Sequence, residues 1–371
     1  MGKKKNNKPK KTKEYPFVSV CTPTFNRRPF IPIMFECFKN QDYPKSRIEW
    51  IIIDDGTDKI EDLIEEANIP QIKYFKYDEK MVLGKKRNLM HEKSTGSIIV
   101  YMDDDDYYPP TRISHSVSML QLHKNALCAG SSIIHVHFKH INKIIEFGPY
   151  GPSHSTAGTF AFKRKLLDVT EYDESAALAE EKKFLKDYTI PFVQLDPKQT
   201  ILVFSHEHNT FDKRKLLENP MSKVMKETTY KPSDFIKEEN IKQFFINDIE
   251  ELLQKYEPGK PDMKPDVLKQ MKEMEIERAN KLKEMQSQNE NGPIMVQEPG
   301  KEPRPLKTSE ILHILQTKDK QLENNKKIVE IKEDEINTLN NKNKELVSKN
   351  EEFVKIIFEL NEKISYLENK N

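Results

Sequence analysis

Apolar residues fall in short, nearly continuous runs along the first two hundred positions, separated by amphipathic stretches. Phe17–Cys21, Ile48–Ile53, Ile72–Phe75 and Ser97–Met102 each read as a strand, the third being the weakest. Pro23, the Asp54-Asp55-Gly56 turn and the aspartates after Met102 end three of them. Runs without alternation suit strands buried on both faces, as in parallel sheets. Helical periodicity near 30–39, 58–67, 84–94 and 110–124 fills the gaps. Strands alternating with helices predict an α/β fold, a mostly parallel sheet with flanking helices and right-handed crossovers. Beyond Leu127 the pattern is mixed. Short strands are expected near 132–138, 143–147, 159–162, 191–195 and 201–205, with a helix from Ala176 to Lys186.

The pattern then changes character. Residues 1–14 form a basic tail, expected to be disordered. The globular core spans 15–215, and 216–256 reads as a helical extension. Pro258, Pro261 and Pro265, then Pro293, Pro299, Pro303 and Pro305, mark 257–306 as a Pro-rich linker with one charged helix near 266–287. From 307 to 371 a heptad takes over. Leu315, Leu322, Val329, Ile336, Asn343, Asn350, Ile357 and Ile364 occupy a. Ile311, Leu339, Leu346, Phe353, Leu360 and Leu367 occupy d, with polar Lys318, Asn325 and Lys332 between them. The repeat predicts a C-terminal coiled coil, and Asn at two a positions favours a parallel homodimer.

The 371 residues are 36% hydrophobic and 33% charged, an average over these unlike parts. A net charge of +1 argues against nucleic acid as the main partner. No apolar run reaches the roughly 18–20 residues of a membrane span, and no apolar segment follows the basic start. Cys21, Cys37 and Cys128 lack metal-type spacing and suit buried free thiols. A cytoplasmic location, or the host cytoplasm for a viral chain, is expected.

Three predicted strands end in polar loops: Thr22–Arg27, Asp54-Asp55-Gly56 and Asp103–Asp106. In a parallel sheet these share one edge, where ligands bind. Four adjacent carboxylates repel one another unless a hard cation offsets them, and all-oxygen ligands suit Mg²⁺ or Mn²⁺. In an extended segment Asp103 and Asp105 face one side, Asp104 and Asp106 the other. The alternative is a solvated acidic turn. His135, His137 and His140 alternate in a polar strand and read as a solvated face.

These loops resemble the motifs of inverting family-2 glycosyltransferases with the GT-A fold. The resemblance rests on Val18–Arg27, Ile51–Asp58, Gly84–Asn88 and Val100–Asp106, in family order, and covers about 15–210. It implies a nucleotide-sugar donor, UDP-linked or similar, with Mn²⁺ or Mg²⁺ as cofactor. Thr22, Pro23 and Phe25 would frame base and ribose, and Asp54 would bind the base. Asp55 would support it or serve as a turn acid. Arg87 and Lys85 would approach the diphosphate. Asp103 would sit near the ribose or metal, Asp105 on the metal, and Asp104 near the donor sugar. The general base is expected in Glu180-Glu181, with Glu181 preferred, in place of the family's usual Asp. His206 or His208, with His208 slightly favoured, would be a late metal ligand. Thr156–Thr159 resembles a loop near donor sugar and acceptor, where Gly158 permits close approach. The acceptor, a glycan, protein or lipid, stays open. The competing readings are a nucleotidyltransferase, which Gly-free Thr22–Arg27 disfavours, and a non-catalytic coiled-coil scaffold.

Overall fold

A computed structural model describes the chain except residues 1–14, 177–180, 210, 219–223, 291–294, 297–301 and 369–371. It divides into two units, residues 1–277 and 278–371.

In the first unit the chain runs β1 (Val18–Thr24), α1 (Ile31–Lys39), β2 (Ile48–Asp54), α2 (Glu61–Ala67), β3 (Ile72–Lys76), α3 (Leu83–Lys93), β4 (Ile98–Tyr101) and α4 (Arg112–Leu122). It continues with β5 (Cys128–Gly130), β6 (Ile134–Phe138), β7 (Lys143–Phe147), β8 (Ala161–Lys163), α5 (Glu181–Phe184), β9 (Phe192–Gln194), β10 (Leu202–Ser205) and β11 (Met225–Glu227). Three short helices follow, α6 (Pro232–Phe235), α7 (Glu239–Gln243) and α8 (Ile249–Gln254), and then the long α9 (Pro265–Glu290), which starts in the first unit and runs past its end at Glu277.

A seven-stranded sheet has the order β3-β2-β1-β4-β8-β5-β9. The first four strands are parallel, β8 runs antiparallel to both neighbours, and β5 pairs parallel with β9. This is the α/β arrangement that the hydrophobic runs predicted. All seven residues of β2 are buried. Trp50 explains part of that: its ring stacks on Phe38 at 4.2 Å, and its indole N–H donates to Thr22 Oγ1 at 2.9 Å. α1 supplies this layer because Ile31, Met34, Phe35 and Phe38 fall on one helical face. Cys21, Cys37 and Cys128 are buried free thiols.

The chain winds outward from β1 to β3, and α3 then carries it back across β1 to β4. The winding direction therefore reverses between β1 and β4, and the carboxyl ends of those two strands flank the reversal. Open α/β sheets bind ligands at such a point.

A second sheet, β10-β6-β7-β11, lies beside the first. Here the expectation of a solvated histidine strand gives way. His135 and His137 are buried in β6, while His140 is exposed. Their rings meet Tyr230, Phe235 and Phe204, contributed by residues that follow the histidines by more than sixty positions. Segment 225–254 is likewise no loose extension. It supplies β11, and Phe235, Ile241, Phe245, Ile249 and Leu253 join the core.

The linker expected from 257 also begins later. Pro258 and Pro261 each open a 3₁₀ turn, and Pro265 opens α9; proline is tolerated in such first-turn positions. The stretch packs on the first unit. The helix expected over Ala176–Lys186 is seen as Glu181–Phe184, with part of its span outside the described residues.

The second unit contains β12 (Met295–Val296), β13 (Arg304–Pro305) and α10 (Thr308–Glu368), a helix of 61 residues. At 1.5 Å per residue it extends about 90 Å. Leu315, Leu322, Val329, Ile336, Leu339, Leu346 and Phe353, all a or d positions, are exposed along it.

Candidate active site

β1 ends by turning at Asn26, which takes a left-handed φ of 53°. Asparagine tolerates that conformation because its short side chain bonds locally. Here Asn26 Oδ1 accepts the Asp58 N–H at 3.0 Å, and Nδ2 donates to the Pro258 carbonyl at 2.8 Å. The turn directs the buried Arg27 toward the end of β4, where its guanidinium lies 3.6 Å from Asp104 and 3.3 Å from Asp105.

The aspartate run is bent rather than extended, so its side chains do not alternate. Asp103, Asp104 and Asp105 all line one cavity of about 150 Å³. Pro23, Phe25, Lys86 and Arg87 line it too, as do Lys264 and Asp266 from beyond the predicted linker start. Asp106 turns away and accepts the Phe204 N–H at 3.0 Å, which ties the run to β10. Asp103 is fixed from behind. Its N–H donates to Tyr108 Oη at 2.8 Å, and that hydroxyl donates to the Gly158 carbonyl at 3.2 Å. A Cβ on Gly158 would lie 2.8 Å from Asp103 Oδ2, so this glycine lets its loop lie close against Asp103. Below the run, buried Arg112 donates to the carbonyls of Tyr101 and Phe160. Nothing in the sequence marked it.

The last three acids of the run differ. Burial raises Asp104 to about 7, against the opposing charge of Arg27. Burial pushes Asp105 the same way, but a hydrogen bond from His206 and the Arg27 charge hold it well below the usual carboxylate range. Asp106 is raised well above that range, by burial and then by Asp105. The sequence reading placed Asp105 on a metal, and here it sits 3.3 Å from His206 Nε2.

The late histidines separate. Residues 206–209 form a turn, with the His206 N–H donating to Asn209 Oδ1, so the two side chains do not share a face. His206 packs against Phe30 and Asp105, and burial lowers it to about 3, leaving a neutral imidazole. His208, the slightly favoured candidate, instead faces Gly259 and Tyr256. Among the described residues no three His, Cys, Asp or Glu side chains converge as a ready ligand set. Asp103, Asp105 and His206 nevertheless offer the donor chemistry that suits Mn²⁺ or Mg²⁺. Such ions keep one or two carboxylates and take other ligands from water and substrate phosphates.

α3 contributes the cations. Lys85 is exposed on its outer side, and Lys86 is the lysine turned inward. Lys86 pairs with Asp55 and donates to the Thr24 carbonyl at 3.1 Å. Arg87 lies 3.9 Å from Asp103 and 4.6 Å above the Tyr101 ring. Asn88 latches the chain before α5. It accepts from the Tyr172 N–H at 2.9 Å and donates to the Tyr172 carbonyl at 3.0 Å. Gly84 completes the latch, since a Cβ there would fall 1.9 Å from the Asp173 carbonyl oxygen. Glu181 opens α5, partly exposed and not lining the cavity. Glu180 lies outside the described residues.

The remaining predicted residues serve the frame. Thr22 Oγ1 donates to the Met102 carbonyl at 2.6 Å, joining β1 to β4 inside the sheet. Asp54 accepts from Gly56 N–H, Ile60 N–H and Tyr74 Oη, and does not line the cavity. Asp55 accepts the Met81 N–H at 2.6 Å behind Lys86.

The three polar loops that the sequence suggested and the start of α3 thus lie on one edge, at the point where the winding reverses. The family model described as Glycosyl transferase family 2 matches residues 19–173, the stretch that carries them. Residues 19–173 are a family-2 glycosyl transferase domain. Over 118 residues the chain is 25% identical to the poly(ribitol-phosphate) beta-N-acetylglucosaminyltransferase TarS of Staphylococcus aureus, which is 28% of this chain and 19% of that protein. The chain therefore matches about a fifth of the length of that curated relative. Among solved structures, S. aureus TarS 1-349 in complex with UDP-GlcNAc is 20% identical, covers 51% of this chain and 59% of its own, and has a TM-score of 0.42. The mannosyltransferase PcManGT from Pyrobaculum calidifontis, in complex with GDP-Man and Mn2+, is 15% identical at 65% and 74% coverage, with a TM-score of 0.44. Among the described residues no helix is long and apolar enough to cross a membrane.

Proposed function

We propose that the chain is an inverting glycosyltransferase that moves a sugar from a nucleoside-diphosphate donor, a UDP-sugar by the family resemblance, to an acceptor hydroxyl. The observation that carries this reading is the cavity between the ends of β1 and β4. There Asp103–Asp105 meet Arg27, Lys86 and Arg87 beside Pro23 and Phe25, within the family-2 domain.

In the reaction the acceptor oxygen attacks the anomeric carbon as the bond to the phosphate oxygen breaks. The nucleoside diphosphate leaves with the bonding electrons. Negative charge grows on that leaving group, and fixed cations aimed at it stabilise the transition state. Arg87 and Lys86 face the cavity for this role. Pro23 and Phe25 offer an apolar wall for base and ribose. Asp103, Asp105 and neutral His206 would hold Mn²⁺ or Mg²⁺, which supplies further charge compensation on the diphosphate when bound. The acceptor's proton goes to Glu181. The latch of Asn88 and Gly84 on Tyr172–Ala176 supports that assignment, because it ties the approach to α5 to the helix that bears Arg87.

α10 carries Leu315, Leu322, Val329, Ile336, Leu339, Leu346 and Phe353 in solvent, and a polar helix with an apolar stripe gains stability by burying it. We therefore assign residues 307–371 a parallel homodimeric coiled coil. Light scattering should give a dimer, reduced to a monomer by Leu339→Lys with Leu346→Lys; a monomeric wild type contradicts the assignment.

Donor hydrolysis tests the enzyme reading. With Mn²⁺ and a panel of UDP-sugars, release of UDP above background is expected for at least one donor. No release together with no donor binding sinks the reading in favour of a non-catalytic scaffold.

A further inference from the structure

Segment 256–267 lies beyond the stretch matched by the family model, yet it is fastened to the donor cavity at several points. Tyr256 Oη donates to Asp58 at 2.7 Å. The Pro258 carbonyl accepts from Asn26, the residue that turns Arg27 toward the aspartates. Gly259 sits so close that a Cβ would lie 2.6 Å from His208 Nδ1 and 2.8 Å from the Asn26 carbonyl oxygen. Asp266 forms a two-pronged ion pair with Lys80, both oxygens 2.6 Å from Nζ. Two of these anchors grip the loop after β1 and one the loop before α3. The segment is a strap across the site.

Between the anchors Lys264 closes a 3₁₀ turn and leads into α9, its N–H donating to the Pro261 carbonyl at 2.9 Å. It is 6% exposed and lines the cavity with Asp103, Asp104 and Asp105. Burying an ammonium is expensive unless anions surround it. Its neighbours include Asp104 and Asp105, but also the cations Arg27 and Lys86. Around the cavity Arg27, Lys80, Lys86, Arg87 and Lys264 make five cations, against four acids, the three aspartates and Asp266. Asp55, behind the wall, holds Lys86, and Asp266 holds Lys80, so Arg27, Arg87 and Lys264 face the three aspartates. At about 150 Å³ the space is smaller than the about 300–1,000 Å³ that encloses a whole small ligand. The strap closes one side of this cation-lined space, with Lys264, Asp266 and Val267 in its wall.

We propose that Lys264 is a diphosphate-binding residue of the donor site, delivered by the strap from outside the family-2 domain. The inference rests on the donor reading above. A lysine is apt here as a compact point charge for phosphate oxygens. The strap would then link occupancy of the cavity to the order of 256–267.

The test is calorimetric titration of the full chain with UDP, GDP and the corresponding monophosphates in Mn²⁺ buffer. For the diphosphate that the wild type binds, Lys264→Met should weaken affinity about 10- to 100-fold, the range of a charged hydrogen bond. The monophosphate should change less than about threefold, and Lys264→Arg should keep most of the affinity. If Met at this position unfolds the chain, Lys264→Gln is read the same way. Unchanged diphosphate affinity overturns the proposal, as does equal weakening of the monophosphate. Tighter binding by Lys264→Met also overturns it, since the lysine would then be a plug. A wild type that binds neither diphosphate overturns the donor reading and this inference with it. Binding that ignores Lys264 overturns this inference alone.

Discussion

Two acidic clusters end β2 and β4, the strands that flank β1 in one sheet, and they have opposite fates. Asp54 and Asp55, after β2, spend their oxygens on the protein: Gly56, Ile60 and Tyr74 for the first, Met81 and Lys86 for the second. Asp103–Asp105, after β4, face a cavity and lean on cations, Arg27 and Arg87. The residue type is the same and so is the sheet edge. What differs is the supply of backbone donors. The tight Gly56 turn offers N–H groups to Asp54, whereas the bent run after β4 offers its own N–H groups elsewhere, as at Tyr108. A carboxylate whose lone pairs are filled holds a loop. One facing a cavity beside cations is available to a ligand.

The largest expected effect concerns an acid outside both clusters. Glu181→Gln should lower turnover about 10²- to 10⁴-fold, the usual share of a general base, with nucleotide affinity within twofold of wild type. Full turnover in that variant would break the division of labour, because a cavity aspartate would then have to take the proton. Next comes Asp54→Ala. It strands the Tyr74 hydroxyl and the Gly56 N–H, and should cost about 2–4 kcal/mol in urea unfolding. Asp105→Ala, by contrast, should stay within about 1 kcal/mol, because Arg27 keeps Asp104. Equal losses in the two variants would erase the comparison.

A smaller effect sharpens it from the other end of β2. Glu49 is buried at the opposite edge. Burial alone would raise it, but Lys73, Ser19 and Thr95 hold it at about 2. Its contribution is therefore complete above the unfolded value near 4.5 and lost as pH falls from there toward 2. Solvent around half-exposed Lys73 screens the pair, so about 1–2 kcal/mol is expected. Unfolding curves between pH 7 and pH 3 should flatten in Glu49→Gln; an unchanged slope would contradict a structural role.

The repeating strands and helices up to α4 were legible because buried β-branched runs and helical stripes are local signals. The convergence of Pro23–Arg27 and Asp103–Asp105 was legible for the same reason, since parallel strands place their ends together, whereas Arg87, on α3, was marked only by the family resemblance. Turns decided the rest. Whether His206 or His208 meets Asp105 depends on the Asn209 turn. Lys85 and Lys86 differ by 100° around α3. His135 looks solvated until Tyr230 and Phe235 cover it, and His137 until Phe204 does. Lys264 was invisible because prolines that read as a linker instead shape a strap, and nothing local says where it docks.

The central claim is that Asp103–Asp105 receive a metal and a nucleoside diphosphate. UDP titrated into wild type and Asp105→Ala, each with and without Mn²⁺, tests it most directly. Wild type should bind more tightly with Mn²⁺, and Asp105→Ala should lose that gain while remaining folded. An Asp105→Ala chain with the same Mn²⁺-dependent affinity as wild type would contradict it.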